Sequence, residues 1–159
     1  MEKAMKTIKQ LCGYHYIGLV IGYFSKQDII KWVDTVIEDM EDFPYELIEV
    51  SLSNNKSLKE TISMLKKASC ENTLFEPLYK IIGELVTELE EARMTNENFF
   101  RYINNILDQG IALLVDDKLS KILDRLDDGY YLATQGIYGD IETIREEALE
   151  ELKHFKNYK

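Results

Sequence analysis

The sequence predicts an all-α protein, a single helical domain over residues 1–159 built as a bundle of seven or eight helices. Three observations carry this. Apolar residues recur at three- and four-residue steps through most of the chain, and no segment alternates as a half-buried strand does. Serines followed three residues later by an acid, Ser25 with Asp28 and Ser57 with Glu60, have the form of helix-opening capping boxes. With two prolines and eight glycines in 159 residues, little chain is left for long linkers.

Taken in order, Met1 to Leu11 is a basic amphipathic helix with Met5, Ile8 and Leu11 or Cys12 inward, and Gly13 is expected to break it. Tyr14 to Phe24 is apolar nearly all round and reads as a buried helix. A buried strand is the alternative that Ile17, Leu19, Val20 and Ile21 leave open. Gly18 and Gly22 leave a smooth strip where another helix could approach. Ser25 then caps a helix whose inner face is Ile29, Trp32, Val33, Val36, Ile37 and Met40, opposite Lys31, Asp34, Glu38 and Asp39. Asp42, Phe43 and Pro44 end it, because a residue before proline is pushed out of the α region. Pro44 suits the first turn of the next helix, expected to turn Leu47, Ile48, Val50 and Leu52 inward.

Asn54 and Asn55 mark a loop, and Ser57 opens a helix with Leu58, Ile62 and Leu65 inside and Met64 at the margin. Ser69 to Thr73 reads as a loop. Leu74 to Met94 is one long helix with Pro77 in its first turn and Leu78, Ile82, Leu85, Leu89 and Ala92 as its seam. Thr95 begins a helix carrying Phe99, Ile103, Ile106 and Leu107, which Gly110 ends. Ile111 to Val115 continues apolar. Asp116 or Asp117 caps a helix with Leu119, Ile122, Leu123 and Leu126, broken at Asp127-Asp128-Gly129. Tyr130 to Tyr138 has no clear period. Gly139 and Asp140 start the last helix, with the stripe Ile141, Ile144, Ala148, Leu152 and Phe155. No repeat of fixed period is evident.

The formal net charge is -10, from 29 acidic and 19 basic side chains. Such a field repels a nucleic-acid backbone, so no direct nucleic-acid partner is expected, whereas a basic protein would be attracted. Cys12 and Cys70 are the only cysteines, which fits a reduced, cytoplasmic setting better than a disulfide framework. Lys3, Lys6 and Lys9 ahead of an apolar run superficially resemble an export signal. Glu2 and His15 interrupt that pattern, no small-residue cleavage site follows, and the run is too short to cross a bilayer. No membrane partner is expected, and the oligomeric state is left open.

Few groups point to catalysis. Cys12 and His15 form one CxxH pair that Cys70 and His154 could join as zinc ligands; small core cysteines and an exposed terminal histidine are the plainer reading. Glycine-rich phosphate loops and nucleophile motifs are missing. The best enzymatic alternative is a Mg²⁺-dependent all-α nucleotide hydrolase using Glu84, Glu88, Glu91, Glu146, Glu147 and Glu150. Against it, Ile144, Ala148 and Leu152 take the inner face of the last helix, which sends Glu146, Glu147 and Glu150 to water. No catalytic residue, metal or cofactor is therefore assigned. Trp32 is expected to pack in the core, and Tyr130, Tyr131 and Tyr138 to sit at its boundary.

Charge is concentrated instead. Residues 25–52 carry two lysines against eight acidic side chains. Asp34, Glu38, Asp39, Glu41, Asp42, Glu46 and Glu49 gather about one turn, with Tyr45 as a candidate anchor, and form the candidate partner-binding face. Trp32, the acidic helix end after it, Pro44, and Leu47-Ile48-Glu49 leading to Ser51-Leu52-Ser53 resemble the small acidic helical immunity proteins of bacterial polymorphic and contact-dependent toxin systems. That resemblance covers about a fifth of the chain. It implies a cytoplasmic protein, not an enzyme, that binds and neutralises one cognate toxin domain. A toxin attacking nucleic acid must be basic to hold phosphates, and carboxylates can take their place, so the expected partner is a basic nuclease. Another acidic protein-binding regulator shares the same physics and stays open beside it.

Overall fold

A computed structural model describes the backbone of residues 2–69 and 74–159, with side chains from Thr7 onward. The protein is all-α, and among the described residues there are nine α-helices, two short 3₁₀ segments and no strand. The helices are α1 (Glu2–Val20), α2 (Lys26–Asp39), α3 (Glu46–Ser51), α4 (Leu58–Ala68), α5 (Phe75–Glu90), α6 (Asn96–Asp108), α7 (Ile111–Val115), α8 (Asp117–Thr134) and α9 (Ile141–Leu152). The chain divides into two compact units, Met1–Pro77 and Leu78–Lys159. Residues 70–73, the expected loop and Cys70 among them, and the side chain of Met5 lie outside the described residues.

In the first unit α1 packs on α4, and α3 packs on both α2 and α4. The core is Ile8, Cys12, Ile17, Ile21, Ile29, Val33, Leu47, Val50 and Leu65. Gly13 does not break α1: the helix runs straight through it, and Leu74 and Pro77 occupy the space a side chain would need. A glycine costs an α-helix about 1 kcal/mol, which packing of this kind outweighs. The strip at Gly18 is filled from within, by the Phe24 ring folding back over it, and not by another helix. α4 turns Thr61, Leu65 and Ala68 inward, while Leu58 is exposed and Ile62 half-buried. Thr61 can take an inner position because its hydroxyl donates to Ser53 Oγ at 2.9 Å, which donates in turn to the Val50 carbonyl at 2.6 Å.

In the second unit α6 and α7 pack on α8, and α8 on α9. Phe99, Phe100, Ile103, Ile106, Leu119, Leu123, Ile144 and Leu152 fill the core. α8 runs through Asp127-Asp128-Gly129, where a break was expected, because Gly129 accepts the Ile144 side chain of α9 against its bare Cα. The following 3₁₀ segment, Lys153–Asn157, lays its backbone across α5 at Gly83, so close that a Cβ there would collide with the Phe155 carbonyl. α5 ends at Glu90, short of Met94, and Ala92 is exposed in the linker, not part of the seam.

One local joint recurs seventy positions apart. After α1, Gly22 stands at φ +85° and the Tyr23 and Phe24 amides both donate to the Gly18 carbonyl; Ser25 then caps α2 by accepting from the Asp28 amide at 3.1 Å. After α5, Ala92 stands at φ +60°, the Arg93 amide donates to the Glu88 carbonyl at 2.9 Å, and Thr95 caps α6 by accepting from the Asn98 amide at 3.1 Å. A left-handed residue closing a helix, with the next helix capped three residues on, is common to both. The turn between α8 and α9 repeats it with one more residue, from Gly136 to the cap Asp140.

Candidate functional site

The acidic face is laid out by the phase of α2. Both halves of the Ser25–Asp28 capping box form, and the carboxyl of Asp28 is held below its ordinary value first by the Ser25 amide and then by the Ser25 hydroxyl. From that start Ile29, Val33 and Val36 point into the core, so Asp34, Glu38 and Asp39 point out and are exposed. Trp32 lies at the α1–α2 contact, half-buried, its ring stacked on His15 with centroids 3.8 Å apart; Phe24 stacks at 5.4 Å from the same histidine. The His15 Nδ1–H donates to the Leu11 carbonyl at 2.8 Å. Both inward and outward assignments for α2 therefore match the expected pattern.

Met40 leaves the helix in an extended conformation, and Glu41 and Asp42 follow, both exposed. α3 is short and is held down by Leu47 and Val50, each fully buried. The Ser51 hydroxyl donates to Asp34 Oδ1 at 2.5 Å and ties α3 to α2. Glu46 turns toward Cys12 and is half-buried, as is Glu49. Two of the residues expected to turn inward here do not. Ile48 is 46% and Leu52 72% exposed, beside Tyr45 at 67%. A helix advances about 100° per residue, so with Leu47 and Val50 inward, Ile48, Leu52 and Tyr45 must share the outer arc.

Charge pairing distinguishes this face from the glutamates of α9 and of the end of α5. Elsewhere Glu88 and Glu91 both engage Arg93, Glu147 and Glu151 engage Arg125, Glu146 engages Arg145, Glu150 engages Lys153 and Glu90 engages Lys156. None of Asp34, Glu38, Asp39, Glu41, Asp42, Glu46 or Glu49 forms an ion pair with a described cation. Lys26, on the same helix, instead donates to the backbone carbonyls of Asn54, at 3.1 Å, and Lys56. The α2–α3 carboxylates thus present negative charge that no ion pair with a described cation offsets.

Of the glutamates of the hydrolase alternative, Glu88, Glu91, Glu146, Glu147 and Glu150 are ion-paired, with Glu88 held below its ordinary value chiefly by the Arg93 hydrogen bond. Among the described residues no three His, Cys, Asp or Glu side chains converge as a metal site would need. Cys12 is buried, and its thiol is pushed up to about 12 by burial first and by Glu46 second. His154 is exposed against Phe155. In the second unit Tyr130 stacks flat on Phe100, 4.2 Å between centroids, while Tyr131 and Tyr138 are exposed. Tyr138, Asp140, Thr143, Ile144 and Arg125 border an open cleft of about 520 Å³, whose Asp140 is engaged as the α9 cap and whose Arg125 pairs with α9.

No helix among the described residues is long and apolar enough to cross a membrane. No protein-family model matches the chain, and neither a curated protein nor a solved structure matches it significantly. The α2–α3 face is thus characterised by its own geometry alone: anionic, without an ion pair to any described cation, and crossed by three exposed apolar side chains.

Proposed function

We propose that this chain is a cytoplasmic immunity protein that captures a basic toxin domain, a nuclease, on the α2–α3 face and blocks it. The observation that carries this reading is that Asp34, Glu38, Asp39, Glu41 and Asp42 are exposed together without an ion pair to any described cation, in contrast with the ion-paired glutamates of α9 and of the end of α5. Carboxylates left uncompensated at a surface repel one another, a cost that a cationic partner removes. A nuclease must hold phosphates with a basic cleft, and an exposed anionic surface can occupy that cleft in their place. Complementary potentials raise the association rate by one to three orders of magnitude, which suits an inhibitor that must act before its target does. Binding and occlusion need no catalytic group on this chain.

The reading expects a large secreted toxin encoded directly upstream, and the test is co-expression with its nuclease domain. The chain should restore growth and co-purify with the toxin. The fourfold reversal Glu38→Lys, Asp39→Lys, Glu41→Lys, Asp42→Lys should slow association at least tenfold at low salt, with the difference shrinking as salt rises. Protection and on-rate unaffected by the reversal would remove the face from the mechanism; no protection by the parent chain would remove the function.

A further inference from the structure

The outer arc of α3 needs an account of its own, because acidic surfaces do not require exposed aliphatic side chains. Ile48 and Leu52 stand one turn apart and Tyr45 one turn before Ile48, with exposures of 46%, 72% and 67%. Their neighbours Leu47 and Val50 are fully buried, so the arrangement is held rigidly from below. In projection the order around α3 is Ile48, Leu52, Tyr45, then Glu49. Glu41 and Asp42 lie immediately ahead of Tyr45 along the chain, and Asp34, hydrogen-bonded to Ser51, borders the α2 side. The result is an apolar ridge with carboxylates along its margins.

We propose that this ridge is the anchor of the docking face and that its occupant is a basic amphipathic helix of the partner protein. This rests on the docking reading of the same face and adds the chemistry of what docks. Ile48 and Leu52 form an i, i+4 row, the ridge that packs into the groove between side-chain rows of a second helix. Charge selects which helix. The occupant must carry an apolar stripe to cover Ile48, Leu52 and Tyr45, with lysine or arginine along both edges to meet Asp34, Glu41, Asp42 and Glu49. A second copy of this chain would bring the same carboxylates against themselves at a net charge of -10. An anionic lipid surface is repelled for the same reason. Charges steer the encounter, and the apolar ridge slows dissociation once the water between the two helices is expelled.

Three synthetic peptides test this against the full chain by fluorescence anisotropy, with ¹H–¹⁵N shift mapping of the contact. One is a leucine–lysine amphipathic helix, one has its leucines replaced by serine, and one has its lysines replaced by glutamate. The leucine–lysine peptide should bind tightest and move the amides of α3; the serine peptide should bind about tenfold or more weakly; the glutamate peptide should not bind. Ile48→Ser with Leu52→Ser should remove the preference for leucine over serine, with unchanged circular dichroism and melting, since both side chains are already outside the core. The fourfold charge reversal should abolish binding of both lysine peptides. If the ridge variant keeps the leucine preference while charge reversal abolishes binding, the ridge proposal is overturned and the acidic docking reading stands. If neither lysine peptide binds, the docking reading itself falls and the ridge proposal with it. Binding of the glutamate peptide as tightly as the lysine one would mark unselective adhesion and also overturn the proposal.

Discussion

Replacing Ala92 by glycine should stabilise the protein, and replacing Gly22 by alanine should destabilise it by a similar amount. Both positions close a helix in the left-handed region, at φ +60° and +85°. That conformation costs an L-residue about 1–2 kcal/mol. Glycine escapes it but loses about 0.4–1 kcal/mol more backbone entropy than alanine on folding. The difference leaves about 0.5–1 kcal/mol in favour of glycine at either site. Packing does not blur the comparison: Ala92 is exposed, and a Cβ at Gly22 would meet nothing within 4 Å. For a chain of this size each kcal/mol moves Tm by about 2–4 °C. The expected shifts are therefore about 1–4 °C, upward for Ala92→Gly and downward for Gly22→Ala. Equilibrium urea unfolding followed by far-ultraviolet circular dichroism measures both. An Ala92→Gly variant less stable than its parent would refute the reasoning, because it would mean that backbone strain is not what separates the two joints.

Two further outcomes follow from partly or fully buried groups. Tyr79 donates to Asp116 Oδ2 at 2.7 Å, and Asp116 caps α8 by accepting from the Leu119 amide at 3.1 Å. Its carboxyl is held below the ordinary value first by Tyr79 and then by Leu119, while Tyr79, pushed up to about 12 chiefly by burial, remains a donor at neutral pH. A depressed folded-state value means the stabilisation is complete above the ordinary carboxylate range and is lost as pH falls through the folded value. Tyr79→Phe should thus cost about 1 kcal/mol at pH 7, and its stability curve should converge with that of the parent in acid; a gap constant across that range would contradict the assignment. Cys12, buried with its thiol pushed up to about 12, should resist iodoacetamide in a Cys70→Ser background until urea unfolds the first unit. Rapid labelling of the folded chain would show that α1 opens locally.

The all-α class, the capping boxes at Ser25 and Ser57 and the cap Thr95 were legible because each depends on a few adjacent residues. What the sequence concealed depends on partners distant along the chain. Gly13 and Gly129 read as breaks, yet Leu74, Pro77 and Ile144 make them close-packing positions inside helices. Thr61 was not among the inward residues expected of its helix, yet Ser53 satisfies its hydroxyl in the core. The acidic face was legible as charge, and its residues on α2 and in the turn are exposed as expected, because the periodicity of α2 is long enough to fix its phase. The ridge on α3 was not. Leu47, Ile48, Val50 and Leu52 were assigned together to one inner face, though a six-residue helix cannot turn all four the same way. The 100° step would have singled out Ile48 and Leu52 once Leu47 and Val50 were taken as the inner pair.

The elbow that opens each half of the chain is written in different letters: Gly22 and Ser25 in one, Ala92 and Thr95 in the other. What is kept is a grammar of donors, acceptors and handedness, while identity drifts beneath it. Comparison of the two elbows letter by letter passes over such likeness, and comparison of their main-chain hydrogen bonds recovers it. Exchange of serine for threonine between the two elbows is accordingly a synonymous edit, whereas loss of the hydroxyl would change the meaning of the sentence.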